Sequence, residues 1–395
     1  MKNAVVVVIF ALAATACSSG PAVTEKKLDS PLPPPVVMVG GQPTFTLERP
    51  KSTDTAKAHF VSAQILPGRG MTTYQIRAYV PGKGEIDLME SPPLADAPKL
   101  MDGGPEDLIG NKSFSLGGSI LLPYANRIRG VLSADGTTLV TPIMGKPVTL
   151  IANWKGKKPE AVKNAMHGMI LDAKMDKVTT DSKPDESSVT GIFHAGDFQG
   201  HWLSKTDVET KITLKDDAFI MTVTAKNVGA ESLPIGIGWH PYFVLPSGDR
   251  TQAKLHLPAK QRALVNNYDD VFPTGKIEKV TGTPYDFTAP GGVALGKLFL
   301  DDSFLDLQKT KEGNTVIEIR DPAAKFGLRV TGMSKEITAI QVYAPLDKKF
   351  IVVEPQFNWV DPYSKVWAGK KTGMVAIAPG ESVTYAVKVE FLQEN

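Results

Sequence analysis

The sequence has a single cysteine among its 395 residues, so no disulfide can form within the chain. Charge imbalance is missing as well, because 44 Lys and Arg against 42 Asp and Glu leave a formal net charge of +2. No basic stripe of the kind typical of nucleic-acid-binding proteins is present, so we expect no nucleic-acid partner. This balance suits a neutral small molecule better than a polyanion. The apolar run Ala4–Ala14 is too short to span a bilayer as a permanent helix.

The one cysteine, Cys17, lies at the end of that apolar run. A positive charge at Lys2 precedes the run, and two small residues follow it directly before Cys17. This order is typical of a lipoprotein signal, so we predict a signal peptide over 1–16 and a lipid on Cys17 as the only membrane attachment. Ser18 favours the outer membrane, on the periplasmic side of a bacterial cell envelope. An ordinary secretory signal cut near the same place is the alternative.

The mature chain divides by composition into a tether and a domain. Residues 17–43 contain a Ser-Ser-Gly sequence, charged residues and the run Pro31 to Pro35, which cannot bury much surface, so we predict an extended tether there. Residues 44–395 show strand patterns and no internal repeat, and we predict one domain. We expect a short helix over 159–166 and an insertion or long loop over 179–188.

Alternation with period two is the main structural pattern of the domain. Residues 211–215 and 219–224 alternate polar and apolar side chains around the turn Asp216-Asp217, which predicts a hairpin. The C-terminal stretch 384–391 alternates again. Amphipathic helices are scarce, and 35 Gly and 30 Pro are spread throughout. We therefore predict an all-β sandwich or barrel; the other predicted strands cover 148–152, 315–319 and 350–353.

Two loops carry polar side chains suited to binding a sugar. Asn126 and Arg127 follow an apolar strand and a Pro-Tyr turn, and both carry planar groups that make several hydrogen bonds. A structural arginine in a surface loop would show the same pattern. His167 lies beside Gly168, where the backbone would allow close approach to a ligand, although a structural histidine would explain it equally well.

Two strand ends carry candidate proton-transfer groups. His240 follows an apolar strand and has aromatic neighbours, including Trp239, whose faces suit stacking on a sugar ring. Glu354 ends a continuous apolar strand, and apolar surroundings raise the pKa of a carboxyl group and make it a better base. An aromatic core corner and a solvent-exposed strand end are the corresponding structural explanations. Asp301, in an acidic pair, is a weaker candidate.

Together these stretches resemble the aldose 1-epimerase (galactose mutarotase) family. The resemblance covers about residue 44 to the C-terminus and lies in an ordered series of short motifs. The matching segments are Asn126-Arg127-Ile128, Met166-His167-Gly168, Trp239-His240-Pro241-Tyr242-Phe243, Asp301-Asp302-Ser303-Phe304, Glu354-Pro355-Gln356 with Asp361-Pro362 after it, and the turn Ala378-Pro379-Gly380-Glu381. Each motif alone is weak, whereas the ordered set is fairly specific.

The resemblance implies a large antiparallel β-sandwich, the galactose mutarotase-like supersandwich, and interconversion of the α and β anomers of a free aldose such as glucose or galactose. Glu354 would be the general base and His240 the general acid, on opposite sides of the C1–O5 unit and across a sugar-sized hollow. The implied substrate-binding residues are Arg127, Asn126, His167, Asp301, Gln356 and Trp239. No metal and no organic cofactor are implied.

Three other functions fit parts of the sequence. A non-catalytic carbohydrate-binding lipoprotein of the envelope would share the fold and the aromatics, but it would not need both Glu354 and His240. A mutarotase for sugar phosphates would need extra cations, and Arg127 and Arg129 are the only clustered arginines in the motifs. A polysaccharide-cleaving enzyme would use a tyrosine or second carboxylate near the base, for which Asp361 and Tyr363 are close in sequence.

Overall fold

The computed structural model describes residues 36–50 and 54–392, which are built mainly from antiparallel strands. Two large sheets dominate the described chain, one of eleven and one of nine strands. The predicted signal peptide over 1–16 and the predicted lipid attachment at Cys17 lie outside the described residues.

The eleven-stranded sheet carries the candidate functional residues, and we call it the site sheet. Ten of its strands follow one another in space, and Gly84–Asp87 pairs alongside Thr72–Val80. In spatial order the ten strands are Pro273–Lys279, Ala259–Val265, Leu300–Leu307, Ala339–Ala344, Phe350–Gln356, Gly238–Val244, Gly118–Leu121, Thr72–Val80, His59–Leu66 and Phe45–Glu48.

The nine-stranded sheet, which we call the back sheet, contains the predicted hairpin and the predicted C-terminal strand. In spatial order its strands are Lys177–Ser182, Ser187–Gly196, Thr206–Leu214, Ala218–Asn227, Ser382–Phe391, Phe326–Gly332, Thr315–Asp321, Lys254–His256 and Val293–Ala294. Residues 206–214 pair with 218–227 as the period-two pattern predicts, and 382–391 pairs on the other side of 218–227.

Short strands and single helical turns complete the described chain. The remaining strand pairs and triplet are Met38–Val39 with Gln42–Pro43, Arg127–Ile128 with Ala165–Met166, Leu233–Ile235 with Val375–Ile377, and Val131–Leu132 with Thr138–Ile143 and Lys146–Ile151. The helical turns are Pro67–Arg69, Leu94–Asp96, Ala97–Leu100, Pro105–Gly110, Ser113–Ser115, Pro322–Ala324 and Lys365–Trp367. None of the helices in these described ranges is long and apolar enough to cross a membrane.

The main core receives side chains from both large sheets. Trp239 of the site sheet stacks on Phe219 of the back sheet, with ring centroids 5.7 Å apart, and Phe357 packs edge-on against Tyr385 at 5.6 Å. All four are among the largest fully buried side chains. Burial of apolar surface between two twisted sheets is what stabilises a sandwich. The predicted all-β antiparallel sandwich is therefore confirmed.

Three details differ from the sequence-based expectations. Met38–Val39 and Gln42–Pro43, at the end of the predicted tether, form a small hairpin with Val39 buried, so the folded part begins before residue 44. Residues 159–166 are turns and extended chain rather than a helix, because Asp270 accepts the backbone N–H of Val162 and Asp269 accepts those of Lys157 and Lys158 just before the segment. Residues 179–188 are not a loop: they belong to an edge hairpin whose outward side chains are polar.

Candidate active site

The two predicted proton-transfer groups lie on adjacent strands of the site sheet. Strands Gly238–Val244 and Phe350–Gln356 pair at Gly238 with Gln356 and again at Tyr242 with Val352. The register between these points sets His240 directly opposite Glu354. Pro241 and Pro355 lie between these two points and have no N–H to donate, so the backbone hydrogen bonds between the two strands are interrupted there. The strand nevertheless continues through Pro241.

The imidazole and the carboxyl group are in direct contact. His240 Nε2 lies 3.4 Å from Glu354 Oε1, somewhat longer than an ordinary hydrogen bond. The prediction that the two groups meet is thus correct, but the expected sugar-sized hollow between them is wrong. Because they occupy neighbouring strands, the two groups stand side by side and present their polar atoms to the same point.

Burial controls the protonation of this pair. His240 is 5% exposed and Glu354 is 1% exposed. Burial, assisted by the nearby charge of Arg127, lowers the pKa of His240 to about 3. Burial also raises the pKa of Glu354 well above its usual range; Asp301 adds to this, while Gln356 and Arg127 oppose it. The pair therefore holds one proton, and burial favours its location on Glu354.

Gln356 holds the carboxyl group of Glu354 in place. Its Nε2 donates to Glu354 Oε2 at 2.8 Å, which leaves Oε1 facing His240. Gln356 is fully buried two residues along the same strand, so both side chains lie on one face of the sheet. Gln356, predicted to bind the substrate, thus contacts the proposed base.

Arg127 lies between Asn126 and Asp301. Asn126 Oδ1 accepts from both the backbone N–H and Nη1 of Arg127 at 3.0 Å, and Arg127 Nη2 lies 3.6 Å from Asp301 Oδ2. Asp301 Oδ1 also accepts from Gln341 Nε2 at 2.7 Å. The predicted residues Asn126, Arg127 and Asp301 therefore form one connected group, and strand register places Asp301 on the same sheet face as Glu354.

His167 is positioned by a loop with unusual backbone geometry. Asn126 and His167 have φ values of 62° and 61°, a region that non-glycine residues seldom adopt. A Cβ at Gly168 would lie 2.2 Å from the carbonyl oxygen of Leu122, so the glycine of this motif is needed for close packing. His167 Nδ1 accepts the backbone N–H of Asn126 at 3.3 Å, and its ring centroid lies 5.0 Å from that of His240.

This hydrogen bond determines which nitrogen of His167 carries the proton. Burial lowers the pKa of His167 well below its usual value, and His240 and Arg127 lower it further, so the ring is neutral. Because Nδ1 accepts, the proton is assigned to Nε2. His167 therefore offers one N–H donor to a ligand.

Trp239 does not belong to the site, and its predicted role in stacking on a sugar is wrong. The side chain is fully buried in the main core, and its Nε1 donates to the carbonyl oxygen of Gly118 at 3.1 Å. Successive residues of a strand face opposite sides of a sheet. Since His240 faces the site, the preceding Trp239 has to face the core.

Further residues support the site, and of these Asn358 was not singled out in the sequence. Asn358 Oδ1 accepts the N–H of Ala125 at 3.0 Å and its Nδ2 donates to the carbonyl oxygen of Ala125, which fixes the turn that delivers Asn126. Asp361 pairs with Arg129 at 2.7 Å and its N–H donates to the carbonyl oxygen of Arg127. Asp361 and Arg129 therefore brace the Asn-Arg-Ile segment.

Phe114 closes one side of the site. Its ring centroid lies 4.8 Å from that of His167 and 5.7 Å from that of His240, and Trp154 packs edge-on against it. Phe114 follows a turn in which the buried carboxylate of Asp107 accepts the backbone N–H groups of Lys112 and Ser113. No local sequence pattern marked this residue, because its importance arises from a contact between distant loops.

Buried polar atoms without a protein partner occur in this region of the described chain. They are Asn126 Nδ2, Arg127 Nε, His240 Nδ1, Gln341 Oε1 and Gln356 Oε1. Natural proteins leave few such atoms unpaired, so these five are groups that a bound polar ligand could pair. Among residues 36–50 and 54–392, no group of three or more His, Cys, Asp or Glu side chains is arranged to hold a metal ion.

Comparison with solved structures supports the fold. A galactose mutarotase-like protein from Clostridium acetobutylicum matches with a TM-score of 0.66 at 17% identity, over 88% of this chain and 98% of that chain. The GalM/aldose epimerase homologue from C. elegans matches with a TM-score of 0.63 at 18% identity, over 86% and 100% of the two chains. Galactose 1-epimerase from Lactobacillus acidophilus NCFM matches with a TM-score of 0.60 at 14% identity, over 89% and 99%.

Comparison of sequences identifies the family. The uncharacterized protein YphB of Escherichia coli (strain K12) is 27% identical over 190 residues, which are 45% of this chain and 58% of that protein. The chain thus aligns with little more than half of the length of that relative. The aldose 1-epimerase family model matches residues 96–390, which include every site residue described above. Because this match extends over well more than half of the sequence, the chain belongs to the aldose 1-epimerase family.

Proposed function

We propose that this protein is an aldose 1-epimerase that interconverts the α and β anomers of a free aldose such as glucose or galactose. The observation that carries the proposal is the buried contact between His240 and Glu354, beside the group formed by Asn126, Arg127 and Asp301. Mutarotation needs one group that removes the proton of the anomeric hydroxyl and one that protonates the ring oxygen. A pair that holds a single proton satisfies both needs.

The side-by-side geometry fits the two reacting oxygens. The anomeric hydroxyl and the ring oxygen are bonded to the same carbon, so the base and the acid have to approach from neighbouring positions. Glu354 would take the hydroxyl proton while His240 delivers a proton to the ring oxygen. The C1–O5 bond breaks, the aldehyde forms, rotation about C1–C2 exposes its other face, and the ring closes with the two roles exchanged.

The resting protonation adds one step to this scheme. Burial favours the proton on Glu354, whereas the first step needs it on His240. Transfer between Oε1 and Nε2 creates a carboxylate and an imidazolium without changing the total charge of the pair. His167 Nε2 and Arg127 would donate to the sugar oxygens as charge develops, and Asp301 would accept from hydroxyls remote from C1.

Polarimetry tests the proposal. Freshly dissolved α-D-glucose and α-D-galactose are followed with wild type, Glu354→Gln and His240→Asn, and the rate in buffer alone is subtracted. We expect wild type to accelerate mutarotation and each variant to lose about 10²–10⁴-fold of the acceleration. Circular dichroism checks that the variants fold. Full activity in a folded variant would remove that residue from its role.

The same assay separates the enzyme from the alternative functions. A non-catalytic envelope carbohydrate-binding protein would bind sugars without accelerating mutarotation. The sugar-phosphate alternative is weakened because Asp361 and Ser364 already engage Arg129, and the polysaccharide-cleaving alternative is weakened because Asp361 is committed to that ion pair. Products formed from an oligosaccharide would reveal cleavage directly.

We also propose that the enzyme acts at the cell envelope, held by a lipid on Cys17. The support is the order of charge, apolar run and cysteine at the N-terminus. In cells, Cys17→Ser should move the protein from the membrane fraction to the soluble fraction while its activity is retained. Continued membrane association of this variant would contradict a lipid anchor at Cys17.

A further inference from the structure

The small three-stranded sheet, which we call the outer sheet, has an exposed face without charged side chains. Its strands are Val131–Leu132, Thr138–Ile143 and Lys146–Ile151. Alternate residues of the two longer strands are buried, and the main core includes Leu139, Ile143, Val148 and Leu150. Register places five exposed residues together on the other face: Val131, Val140, Pro142, Pro147 and Thr149. The solvent-facing side of an antiparallel sheet is normally polar, so this face departs from the usual pattern.

The tip of the hairpin in the outer sheet adds another exposed apolar side chain. Met144 and Gly145 form its two-residue turn, with φ values of 49° and 80°, and the flanking Ile143 and Lys146 pair with each other. Asn or Asp is favoured at the first position of such a turn, because both central residues have positive φ. Met144 is 50% exposed, so its side chain is not placed there by packing in the core. This combination indicates a contact outside the protein.

Exposed apolar side chains are concentrated in this part of the chain. Eleven large hydrophobic side chains are exposed in residues 36–50 and 54–392, and five of these lie between residues 131 and 162. The edge strand Lys177–Ser182 of the back sheet provides a contrast, because all of its exposed residues are polar or charged. A cluster of exposed apolar residues is typical of an interaction surface.

Lysines are enriched in the same part of the sequence. Residues 131–163 contain five lysines and two acidic residues, whereas the whole chain has 44 basic and 42 acidic residues. Lys155, Lys157 and Lys158 are exposed. Lys163 Nζ donates to the carbonyl oxygen of Gly136 at 2.7 Å, which places this lysine-rich segment beside the base of the hairpin. An apolar face flanked by lysines is complementary to a surface of anionic lipids.

The edges of the outer sheet disfavour pairing with a strand of another protein. One edge strand, Val131–Leu132, has only two residues. The other edge strand begins with Lys146 and Pro147, and proline has no N–H to donate. Short length, lysine and proline are the features by which edge strands avoid pairing with other chains. The exposed face, rather than an edge, is therefore the part of the outer sheet that is suited to a contact.

We propose that the outer sheet docks on the surface of an anionic phospholipid bilayer. Met144, Val131 and Val140 enter the boundary between headgroups and acyl chains, and the lysines at the base of the hairpin contact the headgroups. Because few side chains take part, the docking is reversible and is lost on dilution. It orients a protein that the proposed lipid on Cys17 holds near the membrane. The inference goes beyond the proposed mutarotase function and does not depend on it.

Cosedimentation with lipid vesicles tests the proposal. The protein used is residues 36–395, which form one compact unit with both large sheets and the main core and exclude the predicted signal peptide and lipid site. Vesicles of phosphatidylcholine alone are compared with vesicles containing about 30% phosphatidylglycerol, at about 0.05 M and 0.5 M salt. We expect at least about tenfold tighter binding to the anionic vesicles at low salt, and release at high salt.

Three variants locate the contact. Met144→Asn removes the apolar tip, and because Asn suits the turn the fold is retained; we expect about tenfold weaker binding. Val131→Thr combined with Val140→Thr keeps the strand shape and should weaken binding about fivefold. Lys157→Gln combined with Lys158→Gln should weaken binding to anionic vesicles about tenfold.

Leu346→Asn is the matched control, because Leu346 is 55% exposed in another loop that also carries lysines, Lys348 and Lys349. Its vesicle binding should equal that of wild type. Absence of binding to anionic vesicles would overturn the inference, as would binding that none of the three variants weakens. A dimer in sedimentation velocity that Met144→Asn dissociates, without vesicle binding, would replace the bilayer by a second copy of the chain. Mutarotation should be unchanged in all variants, and its absence in wild type would overturn the proposed function alone.

Discussion

The two large sheets differ in how far the face turned away from the main core is buried. In the back sheet, strand Ser382–Phe391 alternates: Val383, Tyr385, Val387 and Val389 are buried, and the residues between them are exposed or half-buried. In the site sheet, all seven residues of strand Phe350–Gln356 are buried. Loops carrying Phe114 and His167 cover the outer face of the site sheet and bury polar groups there. A sheet buried on both sides can thus hold its reactive residues away from water.

This difference in burial has opposite consequences for stability and for the pKa values of ionisable groups. The back sheet places charged groups such as Lys388 and Glu390 at the surface, where they pair at 2.9 Å in contact with solvent. The site sheet buries Glu354 and His240, which lowers stability because burial penalises the charged forms of both groups. Burial that costs stability but shifts pKa values is typical of catalytic sites.

The largest expected effect is a loss of stability on substitution of Trp239, which faces the core from the same strand that carries His240. Trp239→Leu should lower the free energy of unfolding by about 3 kcal/mol, because it opens a cavity and leaves the carbonyl of Gly118 without its donor. The KM of the folded variant for glucose should change less than twofold. Chemical denaturation and polarimetry measure the two quantities. A large rise in KM with unchanged stability would restore Trp239 as a sugar-binding residue.

The next effect is a pH dependence of stability in the site sheet. The pKa of His240 is lowered from 6.5 to about 3 by burial, so the folded state binds this proton more weakly than the unfolded state. Its contribution to stability is therefore present above pH 6.5 and is lost as the pH falls, by about 1.4 kcal/mol per unit. Unfolding of His240→Asn should lack this part of the acid sensitivity, as measured by denaturation between pH 4.5 and 7.5.

His194 of the back sheet supplies a control of opposite sign. Its hydrogen bond to Asp207 raises its pKa, so any stabilisation is present at low pH and is lost as the pH rises. His194→Asn should therefore differ from wild type mainly on the acid side, in the destabilising direction. Identical pH profiles for wild type and His240→Asn would contradict the burial argument for His240.

The smallest effect concerns a glutamate of the back sheet. Glu318 is 9% exposed and accepts from Arg320 and Arg329 at 2.8 and 2.9 Å. Glu318→Gln should cost about 1 kcal/mol of stability, because both arginines remain partly solvated. Its kcat should equal that of wild type, in contrast to Glu354→Gln. A comparable loss of activity in both variants would show that the assay reports folding rather than chemistry.

The back sheet was largely predictable from the sequence, and the site sheet only in part. Alternation located the 206–214 and 218–227 hairpin and the C-terminal strand, because one face of these strands is solvated. The same rule failed at residues 179–188, where an edge strand is polar almost throughout.

The catalytic candidates were found through motifs rather than periodicity, since strand Phe350–Gln356 has no polar face. Alternation within the motif would have assigned Trp239 to the core, once His240 was assigned to the site. Phe114, Asn358 and Gln341 depend on contacts between segments far apart in sequence, and no local pattern shows such contacts. The side-by-side arrangement of His240 and Glu354 depends on strand order, which the sequence does not reveal.

A double-mutant cycle on kcat/KM tests the central claim, that His240 and Glu354 act as one proton-transfer unit. Wild type, Glu354→Gln, His240→Asn and the double variant are compared by polarimetry with α-D-glucose. The account predicts that the double variant is hardly slower than either single variant, because each substitution already disables the shared proton. Losses that multiply in the double variant would show that the two residues act independently and would contradict the account.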